Sequence, residues 1–268
     1  TTSILEYNPS TIEVMDKMLL DRCRESLGFA QNMSAIQGEP GAILLIEFYG
    51  ESVAEVESKM EKLKDDMARK RFGYACVNIS DKAGQNNVWN IRKAGLGLLM
   101  SIHGDAKPIP FVEDTAVDPS VLGDFVTRFD EIVKSHGTEA GYYGHASVGC
   151  LHIRPLISLK DDEGISKMFS IADEISDLVN EFGGSLSGEH GDGIVRGVFT
   201  EKMFGPEITQ AFRDLKTTFD PNKILNPNKI IDCPPMEENL RYGRDYTSQP
   251  IETVFDFSID GDYAGAVE

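Results

Sequence analysis

Apolar residues recur along the chain at two spacings, and the change from one to the other marks out the elements. The longest wholly apolar run is residues 42–46, and 42–48 (AILLIEF) reads as a buried strand. Ser52 and Glu55 form a capping box that opens a helix with Val56, Met60, Leu63 and Met67 on one face. A strand over 74–79 is expected next, so these segments read as a β-α-β unit. Ahead of it, Ile12, Met15, Leu19 and Cys23 fall on the inner side of another predicted helix, closed by Gly28.

In the second half a strand over 109–113 leads to Asp118-Pro119, a helix start. Val121, Leu122, Phe125, Val126, Phe129, Ile132 and Val133 then keep helical spacing until Gly137. Strands follow at 141–145 and 150–155. The next helix turns Ile165, Met168, Phe169, Ala172, Ile175, Val179 and Phe182 inward and ends at Gly183-Gly184, and a strand over 194–199 closes the set. The order β-α-β-β-α-β is that of a ferredoxin-like split unit, so the expected fold class is α+β, an antiparallel sheet with helices packed on one face. Pro206 opens a last helix carrying Ile208, Phe212, Leu215 and Phe219. Residues 246–268 hold five acids and neither Lys nor Arg, which divides the chain into a domain over 1–245 and an acidic linker or strap over 246–268.

Charge narrows the partners. Among 268 residues, 44 Asp and Glu face 26 Lys and Arg, for a formal charge of −18. Such a field repels phosphates, so nucleic acids and anionic membrane surfaces are not expected partners. No apolar run approaches the roughly 18 to 20 residues that span a bilayer, so no transmembrane segment is expected. Cys23, Cys76, Cys150 and Cys233 are far apart and form no CxxC, which fits free thiols in a reducing, cytoplasmic setting. The opening TTSILEYNPS carries no leader pattern and starts at Thr, and the expectation is a segment of a longer chain.

Three of the five histidines lie in GHASVGCLH (144–152) and GEHGDG (188–193). If Val148-Gly149 is a two-residue hairpin turn, His145 and His152 become cross-strand partners, with Cβ atoms about 4.5–5.5 Å apart, close enough to share one metal ion. Glu189 then offers a third ligand, and two His with one carboxylate leave open positions, as a catalytic metal site requires. The plainer alternative is that these histidines are hydrogen-bonded sheet residues and the glycines make turns. Arg92, Lys107, Arg154 and Arg196 stand out in so acidic a chain as candidate partners of a substrate carboxylate, with ordinary salt bridges as the alternative. No GK[ST] loop, no helix-opening GxGxxG and no GxSxG elbow is present, which argues against a nucleotide phosphate site and a serine hydrolase.

GHASVGCLHIRP, SGEHGDGIVRG and FGPEITQAFRDLKTTFDPNKILNPNKII together resemble the C-terminal, substrate or cap domain of FAD-linked oxidases in the vanillyl-alcohol oxidase superfamily. VWNIRKAGLGLLMSIHGDAKPIPFVEDTAV and LRYGRDYTSQPIETVFDF are most similar to the large bacterial FAD-containing dehydrogenases related to D-2-hydroxyglutarate dehydrogenase, D-lactate dehydrogenase and glycolate oxidase. The resemblance implies a FAD-binding domain before this region and often an iron-sulfur domain after it, with the present chain lying between them.

It also implies roles. A divalent metal, Zn or Mn, is expected on His145, His152 and Glu189, with His190 as catalytic base. Arg92, in the pattern WxxR, resembles the arginine that grips the substrate carboxylate. The more usual family text GHxGDGNxHxN is broken here by Ala146-Ser147-Val148, by Cys150 and by Arg154 in place of the last Asn, so contacts near Arg154 differ and a second substrate carboxylate suits them. Lys107 is the nearest candidate for the family's substrate lysine. The implied activity is oxidation of a D-2-hydroxy acid with hydride transfer to FAD. Two rival readings stand beside it: a metal-dependent hydrolase using the same His, His, Glu set, and a non-catalytic interaction module.

Overall fold

Thr11, Ile12 and Val14 favour an extended backbone, and residues Thr11–Asp16 form strand β1, after a short helix α1 (Thr2–Leu5). The helix expected from Ile12 onward begins only at α2, Lys17–Glu25, where the Asp16 carboxylate caps the N–H of Leu19. Strand β2 (Ala42–Glu47) pairs antiparallel with β1, Thr11 opposite Glu47. The predicted β-α-β unit is therefore absent, and residues 74–79 form no strand. Tyr74 and Val77 stay exposed. The capping helix is present as α3 (Val53–Lys70): Ser52 accepts from the N–H of Glu55, and Leu63 and Met67 are buried. Residues 82–100, to which the apolar pattern assigns no element, form a 19-residue helix, α4 (Lys82–Met100), capped by Asp81. Its three glycines dilute the helical signal. One of them, Gly95, lets Leu19 approach so closely that a Cβ would lie 2.6 Å from it.

The computed structural model describes residues 1–247, 251–260, 262, 263 and 265. Strands β3 (Lys107–Pro108), β4 (Thr115–Ala116), β5 (Ala140–His145) and β6 (Cys150–Ile157) complete one sheet in the order β2-β1-β5-β6-β3, with β4 also on β6. Helices α5 (Leu122–Ser135) and α6 (Asp162–Glu181) follow their predicted spans, although Phe169 points outward and is 38% exposed. Ser185 bridges Ala116, so the order Ser185, β4, β6, β5 is that of the split unit. The closing strand is reduced to this bridge. Residues 194–199 turn instead through a short 3-10 segment, Gly197–Phe199, because the guanidinium of Arg196 ties that loop to the carbonyls of Glu113 and Gly191.

Helices cover both faces rather than one. Ile12, Leu151 and Ile153 pack against Phe125, Phe129, Ile171 and Ile175 of α5 and α6. On the other face Met15 and Tyr143 pack with Leu19 and Cys23 of α2 and with Ile91, Leu98 and Leu99 of α4. The last helix, α7 (Thr200–Phe219), restarts at Pro206 after Gly205 turns to φ 76°. Its predicted inner residues Ile208, Leu215 and Phe219 remain exposed. Beyond it, residues 251–257 are irregular, Ser258–Asp260 make a 3-10 turn, and Glu268 of the acidic segment lies outside the described residues. No helix among the described residues is long and apolar enough to cross a membrane.

Candidate active site

The hairpin that carries two of the histidines does not turn at Val148-Gly149. Residues Ala146–Val148 form a 3-10 turn and Gly149 adopts φ 71°, with the carbonyl of Val117 where a Cβ would stand. The longer turn puts His145 opposite Cys150, and His152 opposite Tyr143. The register differs from the expected one by two positions, and an even shift leaves every side chain on its face. His145 and His152 are thus diagonal neighbours on one face, ring centroids 5.3 Å apart and nearly perpendicular.

GEHGDG comes to that face through a bulge in the neighbouring segment. Between the rungs Pro108–Leu156 and Thr115–Leu151, seven steps of chain oppose five on β6, so two extra residues loop out. The bulge delivers Glu113 and Asp114, the latter at φ 75° and fully buried. Asp114 accepts from Ser187 Oγ (2.7 Å), the N–H of His190 (2.8 Å), the N–H of Glu189 (3.1 Å) and Cys150 Sγ (3.3 Å). Burial raises the pKa of this carboxyl, but the donated hydrogen bonds outweigh it and hold the group below its ordinary value. Loop 187–190 is therefore held by one ionised carboxylate.

Glu189 Oε1 then sits among three imidazoles, 3.4 Å from His145 Nε2, 3.3 Å from His152 Nε2 and 3.5 Å from His190 Nε2. His190 stacks on His152 with ring centroids 5.1 Å apart, and its Nδ1 lies 3.6 Å from Glu113 Oε1. Ligand atoms of Asp114, His152, Glu189 and His190 all lie within 4.8 Å of one another. Burial, reinforced by the neighbouring His145, pushes His152 down to about 4, so it is neutral near pH 7 as a metal ligand must be. Its Nδ1 is buried without a hydrogen-bond partner among the described residues. The side chains of Glu189 and His190 are 47% and 43% exposed, so the cluster is open on one side.

Two of the three candidate arginines, Arg92 and Arg154, reach this neighbourhood already paired. Arg92 on α4 donates through Nε to Glu13 on β1 (2.7 Å) and lies over the ring of Tyr143. Glu13 also contacts His145 Nδ1 at 2.6 Å. Arg154 is buried, 2.5 Å from Glu113 Oε2, with its Nε unpartnered among the described residues. Burial raises the Glu113 pKa, against the pull of Arg154, His190 and Arg196. Lys107 is not brought in. It stands in a rung with Ile157, five residues along β6 from His152, about 17 Å away and on the opposite face. Its Nζ donates to the carbonyl of Ile102. Arg196 serves as a loop clamp.

Glu13, Glu113 and Asp114 were missed from the sequence. Reading TIEVMD as a strand would have placed Glu13 on the face of Met15, and the adjacent acids within PIPFVEDTAV were the signal for the other two.

An α+β sheet that gathers three histidines about a glutamate, with the buried Arg154 and the half-buried Arg92 beside them, defines a candidate metal-binding cluster. Residues 2–230 match the family model "FAD linked oxidases, C-terminal domain", and the chain belongs to that family. It is 34% identical over 245 residues to D-2-hydroxyglutarate dehydrogenase of Haemophilus influenzae, covering 87% of this chain and 23% of that enzyme. It is 28% identical to D-lactate dehydrogenase of Anaerostipes hadrus over 225 residues, 83% of this chain and 46% of that one. The chain thus spans about a quarter of the D-2-hydroxyglutarate dehydrogenases it matches. Among solved structures, 4-ethylphenol oxidase from Gulosibacter chungangensis in its isoeugenol complex shares the fold, with a TM-score of 0.54 at 16% identity, covering 84% of this chain and 48% of that one.

Proposed function

We propose that this chain is the substrate-side half of a FAD-dependent oxidoreductase that oxidises a D-2-hydroxy acid of the D-2-hydroxyglutarate, D-lactate or glycolate type. The observation that carries the reading is the convergence of His145, His152 and His190 on one oxygen of Glu189. The donor set fits a divalent cation, Zn2+ or Mn2+, held by His145, His152 and Glu189, which when bound supplies Lewis-acid polarisation of the substrate hydroxyl. FAD, held by another domain of the full-length chain that would close over the open side of the cluster, supplies the hydride acceptor. Within this chain, Arg92 binds the substrate carboxylate. Arg154 takes a second, distal carboxylate when the substrate has one. His190 accepts the hydroxyl proton at Nε2, with Nδ1 facing Glu113, whose negative charge favours the imidazolium that results. Residues 1–245 form this domain and 246–268 a strap toward the rest of the protein, where length remains for the FAD-binding domain and an iron-sulfur domain. The four unpaired cysteines fit a cytoplasmic location.

The test is single-turnover flavin reduction by D-2-hydroxyglutarate or D-lactate in the complete protein, with metal content measured alongside. His190→Ala keeps its metal and slows reduction by about 10²–10⁴-fold. Glu189→Ala loses metal as well as rate. Flavin reduction at the wild-type rate in His190→Ala overturns the assignment of the base.

A further inference from the structure

Glu13 is a buried acid, 4% exposed, in the middle of β1, and the proposed chemistry gives it no part. It stands in a rung with His145. Its two oxygens go to two different groups of the site: Oε1 lies 2.6 Å from His145 Nδ1, and Oε2 accepts from Arg92 Nε at 2.7 Å.

We infer that Glu13 is a positioning residue that sets a metal-ligating histidine and the carboxylate-gripping arginine with one carboxylate, an inference that rests on the roles proposed above for His145 and Arg92. A carboxylate facing Nδ1 holds the imidazole proton there, so the lone pair is on Nε2, the nitrogen that faces Glu189 at 3.4 Å. On Arg92 the same carboxylate occupies only Nε. The guanidinium, its carbon 5.0 Å from the centre of the Tyr143 ring, keeps its terminal nitrogens for a planar, two-oxygen partner. Met15, two residues along β1, pairs with Tyr143, so the strand that carries the carboxylate also seats that ring. Glu13 also balances the Arg92 charge, so the half-buried arginine is half of a neutral pair before any substrate arrives. With both oxygens engaged, and Thr11 Oγ1 also donating to Oε1 at 3.4 Å, Glu13 acts through His145 and Arg92 rather than as a ligand.

The experiment uses the chain with Zn2+ as probe. In metal-free wild type, long-range 15N–1H spectra, with His145 assigned by loss of its signals in His145→Gln, show the Nδ1–H tautomer. Glu13→Gln binds Zn2+ about 10–100-fold more weakly. The control is Glu47→Gln. Glu47 ties α4 to the sheet by accepting from Trp89 Nε1 at 2.6 Å without touching the cluster, and its variant keeps Zn2+ affinity within threefold. Unchanged affinity in Glu13→Gln, or an equal loss in Glu47→Gln, overturns the role. If Glu13→Gln does not fold, the wild-type tautomer decides, because an Nε2–H His145 overturns the inference by itself. A wild-type chain that binds no Zn2+ overturns the metal reading of the whole site, whereas an Nε2–H tautomer removes only the part given to Glu13.

Discussion

Replacing Asp114 by Asn tests whether one buried carboxylate holds the loop that carries Glu189 and His190. Asparagine preserves the shape and keeps one acceptor oxygen but turns the other into a donor. With the amide nitrogen at Oδ2 the N–H of His190 loses its acceptor and the Ser187 hydroxyl has to turn and accept instead; at Oδ1, Cys150 Sγ loses its own and Glu189 N–H is left to share Oδ2. One donor is stranded in a fully buried place, and the remaining bonds lose the strength that an ionised acceptor gives them, so the metal-free chain is destabilised by about 2–4 kcal/mol. Relief of the buried charge does not cancel this, because the fold already holds the carboxyl below its ordinary value, and so favours the ionised form. The pH dependence follows the same sign. The wild-type advantage is present above the ordinary value of 3.8 and is lost as the pH falls below it, where the native carboxyl also takes a proton. Urea unfolding of both proteins at pH 7 and at pH 3, with Zn2+ titrations at pH 7, measures each part. A variant within about 0.5 kcal/mol of wild type at pH 7, with unchanged Zn2+ affinity, refutes the loop clamp.

Asp16, which caps α2 and accepts from the N–H of Tyr142, is pushed up to about 6 by burial. Its contribution is therefore fully present below 3.8 and is lost as the pH rises through about 6, a change of about 3 kcal/mol. Denaturant unfolding from pH 4 to 7 shows this slope in the wild type and not in Asp16→Asn; equal slopes count against it. In the complete protein, Arg154→Gln raises KM for D-2-hydroxyglutarate by about tenfold or more and leaves that for D-lactate within twofold, as expected for loss of one charged contact to a distal carboxylate. Equal effects on both substrates would remove the distal role of Arg154.

Helices α5 and α6 were legible because their apolar residues repeat over four to five turns and each ends at a glycine with positive φ, Gly137 or Gly183. Their lengths outvote any local exception, such as the outward Phe169. The Ile12–Met15 segment was not, since alternation over six residues followed at once by a helix mimics a single helical stripe, and only pairing with β2 and β5 decides. The strand expected over 109–113 was only half legible: the chain pairs with β6 on either side, at Lys107–Pro108 and Thr115–Ala116, but 109–113 themselves form no strand, because the bulge that aims Glu113 and Asp114 depends on a count of opposing residues that the sequence does not display. At the site, the histidines and Glu189 were readable from two glycine-rich segments. Their grouping survived a wrong hairpin turn because the error was even. Glu13, by contrast, lies 132 positions from His145 in the chain, and only the rung between β1 and β5 joins them.

Everything proposed for the chemistry depends on His145, His152 and Glu189 forming one metal site. Calorimetric titration of the chain with Zn2+, wild type against His152→Ala and Glu189→Ala, decides whether they do. The wild type is expected to bind one equivalent, and both variants to bind at least about 100-fold more weakly, because each loses a ligand outright and so exceeds the 10–100-fold cost of altering a supporting residue. Equal affinities in all three proteins, or no binding by the wild type, would rule the site out.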